Sequence, residues 1–333
     1  MSRTLPRSPS RYGVILGWTG SPEAPDPESV GRYLERFLMD PLVMRIPRPI
    51  RALLVKGIIV PRRKHRSAEA YRRIWTPEGS PLAAHTEALA KALQEQLGVP
   101  ILHGSAYGKP TLEDAVREAS ASGDLPWIFV PLFPHYAGAT RGTLERRFEQ
   151  AARQAGLRTA GIVPPFYAAP PYIEALSRTA APLLEEFRPD HLLFSFHGLP
   201  RRHARQDAAK GPEYDYVTQC RTTMELLIRA LQWPKRKCSL AWQSRLGRGW
   251  LAPETRAELA RLGQSGARRL AVIAPSFLAD CLETLEELGI AGRAYFLGNG
   301  GQAFLLCPAL NHAPCWVEGL SAIIDNYYKN AAL

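Results

Sequence analysis

No apolar run in the 333-residue chain approaches the ~18 residues that a bilayer span requires. The longest candidate, residues 50–60, is short and is interrupted by Arg51, Lys56 and Gly57. The basic start MSRTLPRSPSR carries no apolar run before Tyr12, so a secretion signal is not expected and the protein is read as cytoplasmic. Cysteine is scarce and unpatterned: Cys220, Cys238, Cys281, Cys307 and Cys315 are odd in number and contain no Cys-x-x-Cys pair. That argues against a disulfide framework or a closed zinc site and for reduced thiols. Neither Gly-x-x-x-x-Gly-Lys-Ser nor Gly-x-Gly-x-x-Gly occurs, which argues against a nucleotide cofactor. Internal repeats are absent too, which excludes a solenoid. Acid is in deficit: 31 Asp and Glu stand against 42 Lys and Arg, 42 − 31 = +11. A surplus of that sign favours anionic partners, whether nucleic acid, anionic lipid or a carboxylate-bearing small molecule.

What is present is a globular composition, 46% hydrophobic and 22% charged, long enough for two domains at roughly 150 residues each. Apolar strand-like runs alternate with amphipathic helical patterns. The strands are expected at 13–16, 100–103, 127–132, 159–163, 191–196, 239–243, 270–274 and 294–297. Helices are expected at 27–38, 81–96, 112–121, 143–155, 172–187, 216–232, 253–262 and 279–288, with a last one at 315–328. Continuous apolar strands separated by helices imply parallel sheets covered on both faces. The expected fold is therefore α/β, two Rossmann-like lobes with parallel sheets and a cleft between them. The proline-rich stretch 164–171 (PPFYAAPP) serves as connector. Residues 1–11 form a basic tail, 12–170 with 315–333 the first lobe, and 171–314 the second. Ligands of such sheets bind outside the carboxyl ends of the strands, so the chemistry is sought just after each strand.

His197 ends the fifth run, in Ser195-Phe-His-Gly-Leu-Pro200. An imidazole there can accept a proton or ligate a metal, although such a histidine also serves as an ordinary hydrogen-bonding side chain. After the seventh run comes Asp280-Cys-Leu-Glu-Thr-Leu-Glu-Glu287, whose Asp280, Glu283 and Glu287 share one face of a helix. A solvated acidic face is the plain alternative; stacked like charges raise carboxylate proton affinity and suit proton transfer. The loop Gln243-Ser-Arg-Leu-Gly-Arg-Gly-Trp250 offers the Ser244 hydroxyl, the Arg245 guanidinium and the Trp250 indole, suited to carboxylates and a flat ring. In Val130-Pro-Leu-Phe-Pro-His-Tyr136, His135 and Tyr136 are expected to face the cleft. Residues 41–66 mix eight Lys or Arg with Leu, Ile and Val, reading as a segment on an anionic membrane surface, as the apolar lip of a pocket, or as a packed, partly buried hairpin of helices. Ser80, in Gly79-Ser-Pro81, reads as a helix cap that also faces a ligand.

With these residues in view, the chain resembles the ferrochelatases from Gly13 to about Ile324. The resemblance rests on Ser195-Phe-His-Gly-Leu-Pro200, Gln243-Ser-Arg245 and Asp280-Cys-Leu-Glu-Thr-Leu-Glu286. It is supported by Ser67-Ala-Glu-Ala-Tyr-Arg-Arg-Ile-Trp75, Gly79-Ser-Pro81, Pro131-Leu-Phe-Pro-His-Tyr136 and Leu310-Asn311. Two stretches depart from the pattern. Trp18-Thr-Gly-Ser-Pro22 stands where the family has Asn-Leu-Gly-Thr-Pro, and Ala106 where many members carry arginine.

The resemblance implies insertion of ferrous iron into protoporphyrin IX to form protohaem, with porphyrin between the lobes. It places the metal or proton site at His197 and Glu283, the acidic path at Asp280 and Glu287, and the cleft tryptophan at Trp250. Ser80, Tyr136, Ser244 and Arg245 are expected at the substrate. Whether His197 handles protons or metal stays open at this level, since one imidazole and one carboxylate fit both assignments. Iron enters as substrate; no resident cofactor is expected, nor an iron–sulfur cluster, because no cysteine-bearing extension follows. The partners expected are protoporphyrin, Fe²⁺ and the cytoplasmic membrane surface, but not nucleic acid. The rival readings are a chelatase for coproporphyrin or another tetrapyrrole, and a non-catalytic porphyrin- or haem-binding protein of the same fold.

Overall fold

Strands that are apolar along their whole length must be covered on both faces, and every residue of β1 (Gly13–Trp18) and, further along the chain, of the Trp127–Pro131 strand is buried. The computed structural model describes residues 12–245 and 247–331; the basic tail expected at 1–11 lies outside them. β1 is followed by β2 (Ile101–Ser105), β3 (Trp127–Pro131), β4 (Thr159–Ile162), β5 (His191–His197), β6 (Cys238–Gln243), β7 (Arg269–Ile273) and β8 (Ala303–Leu306). They form two four-stranded parallel sheets, ordered β2-β1-β3-β4 and β6-β5-β7-β8. In each sheet the chain runs from its first strand to one neighbour and then crosses to the other side. The crevice where strand order reverses thus lies between β1 and β3 in one lobe and between β5 and β7 in the other.

The helices between strands are specified locally. Asp26 accepts from the backbone of Glu28 and Ser29, both at 2.9 Å, and opens the helix Pro27–Leu38. Thr111 and Asp114 cap each other reciprocally at the helix Leu112–Ala121. Gly156, at φ 62°, closes the helix Thr143–Ala155 in the left-handed conformation that glycine tolerates best. The C-terminal helix Pro314–Ala331 leaves the second sheet and packs on the helices Pro81–Leu97 and Pro170–Phe187 and against β3 and β4. The Tyr12 hydroxyl, at the entrance to β1, donates to Asp325 of that helix at 2.6 Å.

Several elements differ from expectation. The apolar run at 294–297 is part of a helix, Arg293–Gly298, with Phe296 fully buried; the eighth strand is Ala303–Leu306, after the turn at Gly300 and Gly301. The basic stretch 41–66 includes most of a continuous helical run: Arg48–Leu54, a π-helical turn Val55–Ile59, then Val60–Ile74. This run lies on the helix Pro27–Leu38, with Val30, Leu34, Ala68, Tyr71 and Ile74 as their shared core. The helical packing expected of that stretch is therefore present on one side of it. It still leaves Leu53 70% and Ile50 53% exposed.

Gly104 shows how closely the first lobe is packed. A Cβ there would lie 2.5 Å from the Leu112 Cα and 2.8 Å from the Thr111 carbonyl oxygen, backbone atoms that cannot turn aside. Gly104→Ala is expected to cost about 1–3 kcal/mol and to lower the midpoint of thermal unfolding followed by circular dichroism; an unchanged midpoint would contradict this packing.

Candidate active site

The second crevice gathers the chemistry. His197 is the last residue of β5 and lies in register beside Gln243, the last residue of β6. Its Nδ1 lies 2.7 Å from the Gly198 carbonyl oxygen. A carbonyl only accepts, so Nδ1 carries a proton, and in the neutral ring the lone pair is on Nε2. A backbone carbonyl holding one ring nitrogen is also the usual way of orienting an imidazole for ligation. The strand end itself is held by Tyr216, whose hydroxyl donates to the His197 carbonyl at 2.9 Å, and by Gly198, which donates to the Gln243 carbonyl at 2.8 Å. Phe277 packs 6.3 Å from the imidazole, ring centre to ring centre. Trp250 lies over Gly198, with its ring 3.5 Å from where a Cβ would be. Its loop is stitched to the strand exit by Leu251 N–H to the Leu199 carbonyl, 2.9 Å.

The acidic residues come from a π-helix, Leu282–Gly292, where an α-helix over 279–288 is expected from the sequence. π-Helical geometry is uncommon and frequent at functional sites. Glu283 and Glu287 lie in it and are half-buried. Asp280 does not: it precedes the helix, is 6% exposed, and is fully engaged. It accepts from the Thr284 hydroxyl at 2.9 Å and from the Asn311 amide at 2.8 Å, while its own backbone N–H donates to Asn311 Oδ1 at 2.8 Å. The three-acid ladder expected from the spacing is therefore a two-acid ladder, with Asp280 as the latch of its first turn. The reason is that extended backbone at Cys281 (φ −149°) breaks the helix that the spacing assumes.

Burial pushes the Glu287 carboxyl above the ordinary carboxylate range. The Ser244 hydroxyl (2.5 Å) and backbone N–H (2.6 Å) both donate to it and pull the other way, while Glu283 raises and His197 lowers its proton affinity. Glu287 thus lies within electrostatic reach of both. From the first lobe, Tyr33 and Tyr71 face Glu283; burial lifts both phenols well above the ordinary range, and the Glu283 charge adds to it. Leu282 and Leu285 pack into the first-lobe core beside Tyr71, and Arg73 pairs with Glu286 at 2.5 Å. The π-helix is therefore held by both lobes.

The other expected site residues have surroundings of their own. Ser80 does precede the helix Pro81–Leu97, but its hydroxyl caps nothing. Tyr136 does not line an open cleft: it is 6% exposed, edge-on to Tyr214 at 4.6 Å with Lys210 above it, and burial raises its phenol to about 12. His135, expected beside it in the cleft, is buried against Thr223, and burial drives it down to about 3, so it is a neutral packing residue. Arg245 turns back on its own loop, donating to the Gly247 carbonyl at 2.8 Å and facing Glu254 at 3.7 Å. The residue that sequence reasoning passed over is Gln243. Its Oε1 accepts from the Ser195 hydroxyl at 2.8 Å and its Nε2 donates to the Glu283 carbonyl at 2.9 Å. Its place at the end of an apolar strand, beside Ser244, was the available signal.

Two lobes of parallel sheet with an imidazole and carboxylates at one crevice define a chelatase. Solved structures agree on the fold: SirB from Bacillus subtilis with Fe³⁺ superposes with a TM-score of 0.57 at 10% identity, covering 97% of this chain and 98% of that one. CbiX, the terminal enzyme for siroheme biosynthesis in denitrifying bacteria, gives 0.50 at 16% identity, covering 95% and 99%. A sequence model of the ferrochelatase family matches residues 11–328. A ferrochelatase of Pseudomonas entomophila strain L48 is 38% identical over 336 residues, covering 95% of this chain and 99% of that one; one of Azotobacter vinelandii strain DJ is 37% identical, covering 94% and 98%. The chain belongs to the ferrochelatase family, and is a metal-insertion enzyme.

Ser244 donates to the charged form of Glu287 and so holds its proton affinity down. Ser244→Ala is expected to move the Glu287 carboxyl titration to higher pH in ¹³C-NMR of glutamate-labelled protein; an unmoved titration would mean that the hydroxyl does not hold that carboxylate.

Proposed function

We propose that this chain inserts ferrous iron into protoporphyrin, with His197 as the base that takes the pyrrole protons and Glu283 and Glu287 as the route by which protons leave. The observation that carries the assignment is the 2.7 Å contact between His197 Nδ1 and the Gly198 carbonyl oxygen: in the neutral ring it commits Nδ1–H and leaves Nε2 to offer a lone pair. A free-base porphyrin must lose two N–H protons as the metal enters, and a neutral imidazole is a suitable acceptor near pH 7. Glu287, whose buried carboxyl holds a proton more firmly than usual, is close enough to sense His197 and fits a relay. Carboxylate and imidazole both suit ferrous iron passing as substrate, and the chemistry as proposed needs no resident cofactor.

Trp250 offers a flat face beside the base. On the first-lobe side a hollow lined by Ser21, Glu23, Arg32, Tyr33, Arg36 and Gly108 sets two guanidiniums beside one carboxylate; guanidinium is the group that best matches carboxylates such as porphyrin propionates. Under anaerobic conditions, with porphyrin fluorescence as readout, His197→Ala is expected to lower the insertion rate about 10²–10⁴-fold while porphyrin still binds, and Glu283→Gln is expected to be severely impaired. Normal turnover by the His197 variant would sink the assignment. Coproporphyrin run alongside decides the substrate: faster turnover of the tetracarboxylate would replace protoporphyrin in this reading.

The place of action proposed is the cytoplasmic face of an anionic membrane. Among the described residues no helix is long and apolar enough to cross one. Ile50, Leu53 and Ile58 nevertheless stand exposed on a helical run that also bears Arg48, Lys56, Arg62 and Arg63. Apolar side chains ringed by cations are the composition of an interfacial helix, each cation contributing about 1 kcal/mol at an anionic surface. Leu53→Glu is expected to reduce the fraction sedimenting with phosphatidylserine vesicles several-fold; equal sedimentation of variant and parent would rule this surface out.

A further inference from the structure

Two histidines that take no part in the chemistry above meet where the lobes adjoin. His85 lies in the helix Pro81–Leu97, and His312 lies in the turn that leads from β8 to the C-terminal helix. Their Nδ1 atoms are 3.3 Å apart, with ring centres at 5.4 Å. Both are carried on firm supports. Thr86, next to His85, is buried and bonds the Leu82 carbonyl at 2.7 Å. Asn311, before His312, stands at φ 52° and is clamped to Asp280 by two hydrogen bonds of 2.8 Å, and Ala313 N–H closes the turn on the Leu310 carbonyl at 3.0 Å.

Facing Nδ1 atoms either share one proton or share one ion. A tetrahedral ion at about 2.0–2.1 Å from each of two nitrogens sets those nitrogens about 3.3 Å apart, the separation found here. Asp280 lies within electrostatic reach of His85 and offsets part of the positive charge of an ion held there.

We propose that His85 and His312 form a two-histidine site for a divalent transition ion of the zinc kind, bridging a first-lobe helix to the turn that leaves the second sheet. Imidazole is a good ligand for these ions. Among the described residues no third His, Cys, Asp or Glu completes the set, so the remaining positions belong to water. Because the two ligands come from different parts of the chain, 227 residues apart, an ion there pins the lobes together at this edge.

The test uses the full chain carrying His197→Ala and Glu283→Gln, which takes the proposed iron path out of the measurement and separates this inference from the catalytic reading. Calorimetric titration with Zn²⁺ is expected to show one equivalent that is lost when His85→Ala or His312→Ala is added, and Zn²⁺ is expected to raise the thermal midpoint only while both histidines remain. Co²⁺ in place of Zn²⁺ should give the intense visible bands of a tetrahedral site, again only with both. Equal Zn²⁺ stoichiometry with and without the pair, or no Zn²⁺-dependent change in the midpoint, would mean that the two rings share a proton only and would overturn the proposal.

Discussion

The carboxamide of Gln243 is buried at the carboxyl end of β6, and both of its ends are occupied: one by the Ser195 hydroxyl of β5, the other by the Glu283 carbonyl of the π-helix. This short chain of hydrogen bonds ties the strand that ends in His197 to the helix that carries the acids. Unsatisfied polar groups in such a place would cost about 1–3 kcal/mol each, so the amide orients both neighbours at once. The register of the sheet does the rest, since it sets His197 beside Gln243. The distance between base and carboxylates is therefore a property of backbone pairing and of one amide, not of long flexible side chains.

The electrostatics of the crevice depend on that same closeness. Glu287 is held between an acid that raises its proton affinity and donors that lower it, and burial decides the balance upward. A carboxyl so placed takes a proton more readily than one in water and still releases it, which is what a relay needs. Asp280 performs a different task. By accepting from Thr284 and Asn311 it starts the π-helix and joins it to the turn before the C-terminal helix. The first lobe completes the arrangement by packing Tyr71 and its neighbours against Leu282 and Leu285.

Much of this was legible in the residue order. Seven of the eight strands fall where continuous apolar runs predict them, because a strand covered on both faces shows no polar alternation. The eighth was misplaced since the short run Ala294–Leu297 has the same apolarity, and periodicity cannot tell a brief buried helix from a strand. The helices from Arg48 to Ile74 were obscured by Pro49, Gly57 and Pro61, which break local patterns, while tertiary packing on the helix Pro27–Leu38 sustains them. His197 and Glu283 could be picked out by their position just past strands. Gln243 holds the same kind of position, but a glutamine at a strand end is chemically plain until its two partners are known.

The residue order by itself determined the class of fold, the positions of the imidazole and the acids along the chain, and the family. Apolar periodicity and motif spacing are local properties, readable one segment at a time. Only the tertiary structure decided that Asp280 is a latch while Glu283 and Glu287 share the crevice, that His135 and Tyr136 are packing residues, that Arg245 faces its own loop, and that His85 meets His312. Each of those outcomes depends on burial and on partners tens or hundreds of residues away, and such pairings come into existence only when the two sheets and the C-terminal helix are assembled.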